Sequence, residues 1–248
     1  MALFKRKKYE QPEIDVSKKS GSLAFYIAIP VTIIISLSTL VTLVSLFSLG
    51  IWRPKPWLMF LYGFVFSCGI FTGSGLVTLK TLIHELKHAA VVILTGNKLT
   101  ELRVYRDIGH VSYEMYRETT RFIPFIILAP YCFPLFSLPA LIAALILEAY
   151  APNGFACLLG AALACDLVTA YQDLHPHQSD LQRIFGGVKP TYAFIFGVNL
   201  MWFLLCMIWL VGGTTAYVYA GYHLLRMSEW IVYSISDLYK RFQDSSSG

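Results

Sequence analysis

Two histidines of this chain are four residues apart, with a glutamate directly after the first, in the segment His84-Glu85-Leu86-Lys87-His88. On a helix, residues i and i+4 share one face, so both imidazoles can bind one zinc ion. Glu85 would then lie where it can take a proton from a zinc-activated water. The pattern predicts zinc-dependent hydrolytic chemistry at His84, Glu85 and His88.

A third zinc ligand is needed, because catalytic zinc sites usually have three protein ligands and one open position. Asp166 is the leading candidate, since an ionised carboxylate within an apolar stretch costs roughly 2.5–3.5 kcal/mol on insertion scales and needs a partner. If the motif helix ends near Gly96 and the helix of Asp166 ends near Asp173, His88 and Asp166 lie about 10 Å inside helices that run the same way. A hydrogen bond between packed helices is the simpler alternative for Asp166.

Other side chains beyond Asp166 stay open as the third ligand. They lie at the end of the same apolar stretch or in the loop after it, where polar groups are also ordinary surface residues. These alternatives are Asp173, His175, His177 and Asp180. Lys80 and Lys87 are predicted to extend their ammonium groups to the membrane interface or to a water-filled cleft.

The composition is that of a membrane protein: 56% of the 248 residues are hydrophobic and 14% are charged, against about a quarter charged in soluble domains. Six apolar stretches are long enough, or nearly so, to cross a hydrocarbon core of about 30 Å. We therefore predict an all-α polytopic fold of about six transmembrane helices, in a single membrane domain over residues 1–248 with a tail at 236–248. The stretches are 23–50, one beginning near Trp57, 122–147, 154–172, 191–211 and 214–235.

Lysine and arginine are concentrated in segments that would then lie on one side of the membrane. The basic arm 1–22, the connections 96–121 and 173–190, and the C-terminal tail are predicted to be cytoplasmic. The net charge of +5 indicates this topology and an affinity for anionic lipids, with no role in nucleic-acid binding. The five cysteines all fall in apolar stretches without CxxC spacing, so they predict no disulfide or cysteine zinc site.

The connection after the histidine motif has a strand pattern. Leu102 and Val104 alternate with polar residues, and Val111, Tyr113 and Met115 alternate again after a turn at 107–109. This predicts a short cytoplasmic β-hairpin. The hairpin is either an ordinary turn or an exposed strand edge that could pair with an extended substrate beside the metal.

Together these features resemble the site-2 protease class of intramembrane zinc metalloproteases, and within it a small bacterial branch of zincin peptidases. The resemblance covers roughly residues 75–185, which would form the protease core. His84, Glu85 and His88 match the zinc-and-base motif of the class. Asp166 resembles its third-ligand aspartate, although Cys165-Asp166-Leu167 differs from the more usual Asn/Leu-x-Asp-Gly form.

The resemblance implies a zinc-dependent endopeptidase of the bacterial inner membrane. Zn²⁺ would be the cofactor, held by His84, His88 and Asp166, with Glu85 as the catalytic base. The partners would be membrane-protein or peptide substrates and the lipid bilayer. The alternative is a metal-binding membrane protein without protease activity, such as an inactive scaffold or a transporter; Glu85 weighs against it, because coordination alone needs no base.

Overall fold

A computed structural model of the chain describes residues 23–106, 108–175, 178–184 and 187–246. The predicted basic arm 1–22 and His177 therefore lie outside the described residues. The described chain is a helical bundle with one two-stranded hairpin, which confirms the predicted all-α class with a hairpin after the motif helix. In chain order, the elements are α1 (Leu23–Ser48), α2 (Pro54–Thr72), α3 (Val77–Leu94), β1 (Lys98–Tyr105), β2 (Ile108–Glu114), α4 (Ile123–Cys132), α5 (Ser137–Leu147), α6 (Pro152–Asp173), the short α7 (Ser179–Gln182) and α8 (Val188–Ser246).

Four helices in the described ranges are long and apolar enough to cross a membrane: α1, α2, α6 and α8. α4 and α5, which meet at a bend of 77° after the 3-10 turn Arg117–Phe122, make a fifth if the bent pair is one span. The structure thus has the character of a membrane protein with four or five candidate spans, and the predicted number of six is not confirmed. The two predicted spans 191–211 and 214–235 both fall in α8.

The histidine motif lies on its own helix and not at the end of the second span. α2 ends at Thr72, and an extended residue, Gly73, and a 3-10 turn, Ser74–Leu76, separate it from α3. α3 is not among the candidate spans, and it carries Lys80, Glu85 and Lys87. Because the chain changes direction at Gly73, the motif can face the ends of other helices.

α2 and α6 pack with their backbones in direct contact at two glycines. A Cβ at Gly63 would overlap the carbonyl of Cys157, and one at Gly160 would overlap the carbonyl of Phe60. Small residues allow such close approach of membrane helices. The amide of Gln172 also donates to the carbonyl of Phe71 at 3.2 Å, so the two helices run in the same direction and end together.

α8 is broken at Gly213, which has φ 66° and ψ −155°, a conformation that only glycine adopts readily. Side chains from two other segments satisfy the backbone groups that the break exposes. Arg53 donates to the carbonyl of Leu210 at 3.3 Å and forms an ion pair with Glu148, which accepts the amide of Thr214 at 2.8 Å. The backbone groups at the helix ends on both sides of the break therefore have hydrogen-bond partners, which stabilises the break.

The predicted hairpin is confirmed as an antiparallel pair. Its strands pair from Lys98 with Glu114 to Tyr105 with Ile108 at the turn. Both strands pack against α3. Since the sheet has two strands in the described ranges, each strand keeps one edge without a β partner.

One apolar cluster gathers several helix ends at the side of the bundle where the motif lies. It includes Phe25 at the start of α1, Phe194 near the start of α8, Leu128 and Tyr131 of α4, and Leu181 of α7. Phe25 and Phe194 have ring centroids 5.0 Å apart. This cluster places the loop after α6 beside the histidine helix.

Candidate metal site

Three side chains from two elements converge on one point. The Nε2 atoms of His84 and His88 each lie 3.8 Å from Oδ2 of Asp180, and one ligand atom from each residue lies within 4.8 Å of the others. Tetrahedral zinc ligands with bonds of about 2.0–2.1 Å would be roughly 3.3–3.4 Å apart. The three groups can thus reach one zinc ion with side-chain movements of up to about 1 Å.

The second ring nitrogen of each histidine has its own acceptor. His84 Nδ1 lies 2.8 Å from Oδ2 of Asp173, and His88 Nδ1 lies 2.7 Å from the carbonyl oxygen of Ile126. A proton on each Nδ1 satisfies these contacts, so a metal ion can bind at Nε2 in place of a second proton. Metal-binding histidines are typically oriented in this way.

Asp180 owes its position to its apolar neighbours. Leu181 and Ile184 are fully buried in the cluster of helix ends, so α7 is anchored although it has only four residues. This anchoring turns Asp180 towards the histidines. On the other side, the ring of Tyr131 packs edge-on against His84, with centroids 5.9 Å apart.

The charges of the cluster favour a cation. Burial alone would raise the pKa of Asp180, but the imidazole of His84, with Nε2 at 3.8 Å from Oδ2, holds that pKa below its usual value. Burial would lower the pKa of His84, yet the hydrogen bond to Asp173 and the nearby carboxylate of Asp180 raise it to about 9, so the two carboxylates favour a positive charge here, either a proton or a metal ion. Burial and the charge of His84 lower the pKa of His88 to about 4, so His88 is in the neutral form that binds metals.

Glu85 lies in the same cavity, against the hairpin. The cavity has a volume of about 550 Å³ and is bounded by α3, β2, α4, the end of α6 and α7. Glu85 is 8% exposed, and burial raises the pKa of its carboxyl group. A carboxylate that binds protons more readily is better suited to act as a general base near neutral pH.

Gly109 of β2 allows this close approach of the hairpin. A Cβ at residue 109 would overlap the side chain of Glu85. We expect Gly109→Ala to displace the Glu85 carboxylate while leaving the fold and the metal ligands intact, because the overlapping atoms belong to a flexible side chain. If Glu85 is the base of a hydrolytic reaction, the rate of that reaction should fall about 10-fold or more, a part of the roughly 10²–10⁴-fold that general base catalysis contributes, while the affinity of the site for a metal ion is unchanged. Normal activity of this variant would show that the hairpin does not position Glu85.

The structure does not bring Asp166 to the histidines. Its carboxylate accepts hydrogen bonds from Ser137 N at 2.8 Å and Ser137 Oγ at 2.7 Å, at the start of α5, and lies 3.5 Å from Lys87 Nζ. Asp166 is 5% exposed and Lys87 is 1% exposed. The predicted exposure of the Lys87 ammonium is therefore wrong, and Lys87 supplies the partner that a carboxylate within a span needs.

The relative direction of α3 and α6 explains why Asp180 replaces Asp166 in the cluster. His84 contacts Asp173, and Lys87, one turn later on α3, contacts Thr169 and the carbonyl of Asp166. Residue numbers thus rise along α3 while they fall along α6. The expectation that these helices run the same way is wrong, and the histidines meet the end of α6 instead of its middle.

Two of the alternatives left open by the sequence are therefore in contact with the histidines. Asp180 faces both Nε2 atoms and Asp173 binds Nδ1 of His84, whereas His175 is exposed. One signal was present in the sequence: Leu181 and Ile184 are three residues apart, as in an anchored helical turn directly after Asp180. Their burial partners could not be identified without the fold.

Comparisons with protein-family models, with curated proteins and with solved structures give no match to this chain. The family resemblance of the motif thus stays an expectation, and the chemistry of the site has to be inferred from its own residues.

Proposed function

We propose that this protein is a zinc-dependent endopeptidase that hydrolyses peptide bonds of membrane-protein or peptide substrates. The single observation that supports this most is the convergence of His84, His88 and Asp180 on one point beside Glu85. The first three residues offer nitrogen and oxygen ligands of the kind zinc prefers. Glu85 adds a base, which a site for coordination alone does not need.

The contacts of the described residues support zinc as the bound metal ion. Both Nε2 atoms approach the same carboxylate oxygen of Asp180, and both Nδ1 atoms are engaged by oxygen acceptors. Three protein ligands leave one position for water or substrate, as in catalytic zinc sites. When bound, zinc supplies a water of lowered pKa and polarises the peptide carbonyl.

Glu85 carries the proton in the proposed reaction. Its carboxylate accepts a proton from the attacking water, and the resulting acid donates that proton to the nitrogen of the leaving amine. Burial of Glu85 assists both steps, since it raises the proton affinity of the carboxylate. His84, His88 and Asp180 do not transfer protons in this scheme; they hold the metal.

Water and substrate would enter from the end of the bundle where α1 and α8 start. This end holds the cavity and the cluster around Phe25 and Phe194, and the basic arm 1–22 directly precedes α1. Basic segments favour the cytoplasmic side, so we place the site towards the cytoplasm. Gly109, His110 and Val111 of β2 line the cavity, where an extended substrate could lie along the strand.

The proposal is tested with purified full-length protein in detergent micelles and a panel of peptides derived from transmembrane segments. Glu85→Gln should retain one zinc per chain and lose about 10²–10⁴-fold of the cleavage rate. Glu101→Gln is the matched control, because Glu101 is a glutamate of β1 that pairs with Arg103 at the surface, and it should cleave as the unmodified protein does.

Two results would overturn the endopeptidase function. One is cleavage by Glu85→Gln at the rate of the Glu101→Gln control. The other is an unmodified, zinc-loaded protein that leaves every peptide and membrane substrate intact, which would favour a metal-binding scaffold or transporter.

A further inference from the structure

Asp173 contacts the imidazole of His84 on the side away from the point where His84, His88 and Asp180 converge. Its Oδ2 lies 2.8 Å from His84 Nδ1, whereas His84 Nε2 is the atom that faces Asp180. The two nitrogens of the ring therefore have separate partners, and Asp173 lies outside the point where the ligand atoms converge.

We propose that Asp173 is a positioning residue that fixes the ring orientation of His84 and keeps its proton on Nδ1, so that Nε2 is available to the metal. This rests on the proposed zinc site. It goes beyond the choice of ligands, because it assigns a function to a carboxylate that binds no metal itself. Oriented carboxylate partners of metal-binding histidines typically contribute 10–100-fold, roughly, to metal affinity.

The two histidines differ in how they are held, and this makes the effect of Asp173 specific. His88 donates to the carbonyl of Ile126, a backbone group of α4, which cannot be removed by substitution. His84 depends on a side chain at the last residue of α6. Of the two histidines, only His84 therefore has an Nδ1 partner that belongs to α6.

A direct role of Asp173 as a metal ligand does not fit these contacts. A metal at Asp173 Oδ2 would have to bind His84 through Nδ1, yet His88 Nε2 and Asp180 Oδ2 converge with Nε2 of His84. A purely structural role, as a link between α6 and α3, predicts a different result from a positioning role when Asp173 is compared with a neighbouring link. Gln172 offers the comparison, because it links the same end of α6 to α2 through the carbonyl of Phe71.

The test measures Co²⁺ affinity by visible absorption in the full-length protein, alone and in a double-mutant cycle. Asp173→Ala should weaken Co²⁺ binding about 10–100-fold, while Gln172→Ala leaves it within about 2-fold. In a His84→Ala background, Asp173→Ala should have no further effect on Co²⁺ affinity, because the imidazole through which Asp173 acts is gone.

Equal losses of affinity in both backgrounds would overturn the proposal, since Asp173 would then act as a ligand or through the fold. An equal loss in Gln172→Ala would overturn it as well, in favour of a general loosening of the end of α6. The proposed peptidase function can fail without affecting this result, because Co²⁺ binding is measured without any substrate.

Discussion

The Asp180→Asn variant is expected to lose its zinc, whereas Asp166→Asn keeps one zinc per folded chain. Both substitutions replace a carboxylate by a neutral amide of the same shape, so they form a matched pair. Asp180 faces both Nε2 atoms at 3.8 Å, and its loss should weaken zinc binding by more than about 100-fold, beyond the effect of losing an orienting partner. Zinc per chain is measured by mass spectrometry after dialysis against a weak chelator.

Asp166→Asn should reveal itself in a different measurement. Its carboxylate lies against Lys87 and the start of α5, so the variant is expected to unfold more easily without losing zinc from the folded fraction. If folded Asp166→Asn protein lacks zinc while Asp180→Asn protein retains it, Asp166 is the third ligand and the cluster around Asp180 is not the metal site.

The Lys87→Met variant should lower the free energy of unfolding by about 3–5 kcal/mol, the usual cost of removing one partner of a buried ion pair. Methionine has nearly the length of lysine, so the change removes charge more than volume. The carboxylate of Asp166 would keep its hydrogen bonds from Ser137 but lose the buried ammonium group. Unfolding is followed by helical circular dichroism in mixed micelles with increasing denaturing detergent.

Lys80→Met is the matched control, because Lys80 is on the same helix and donates to the carbonyl of Gly73 at an exposed position. It should change the free energy of unfolding by less than about 1 kcal/mol. The double variant Lys87→Met with Asp166→Asn should recover part of the loss, since neither partner then carries a buried charge. Equal effects of Lys87→Met and Lys80→Met would show that the pair with Asp166 does not stabilise the fold.

The sequence predicts local features of this molecule well and their relative placement less well. Apolar stretches and the alternation around Val111 and Tyr113 predict long membrane-type helices and the hairpin, because these patterns depend on near neighbours. The number of spans depends on breaks: the bend between α4 and α5 follows Phe133, which is extended because Pro134 comes next. The break at Gly213 falls between the two spans that the sequence predicts at 191–211 and 214–235.

In the candidate site, too, the sequence predicts the local arrangement but not the residues that come from elsewhere in the chain. The spacing of His84, Glu85 and His88 predicts a shared face, and the structure brings these residues to one cavity. The third residue of the cluster, Asp180, could not be predicted from the depth of His88 and Asp166 in their helices, because the comparison of depths assumed that the two helices run in the same direction. The structure does not bring Asp166 to the histidines, because Lys87 is its charged partner. No sequence pattern shows that these two residues meet.

The part of α8 beyond the break at Gly213 leaves the core of the bundle along its length. Its first turn still belongs to the bundle, because Ala216 is buried in the core and the hydroxyl of Tyr217 donates to the carbonyl of Leu205 at 2.7 Å. Further along α8, Trp230 and Tyr233 are exposed, and the described residues that line the cavity with the histidines include none from this segment. The final part of α8 is thus a natural attachment point for a fused reporter, far in sequence from the metal site.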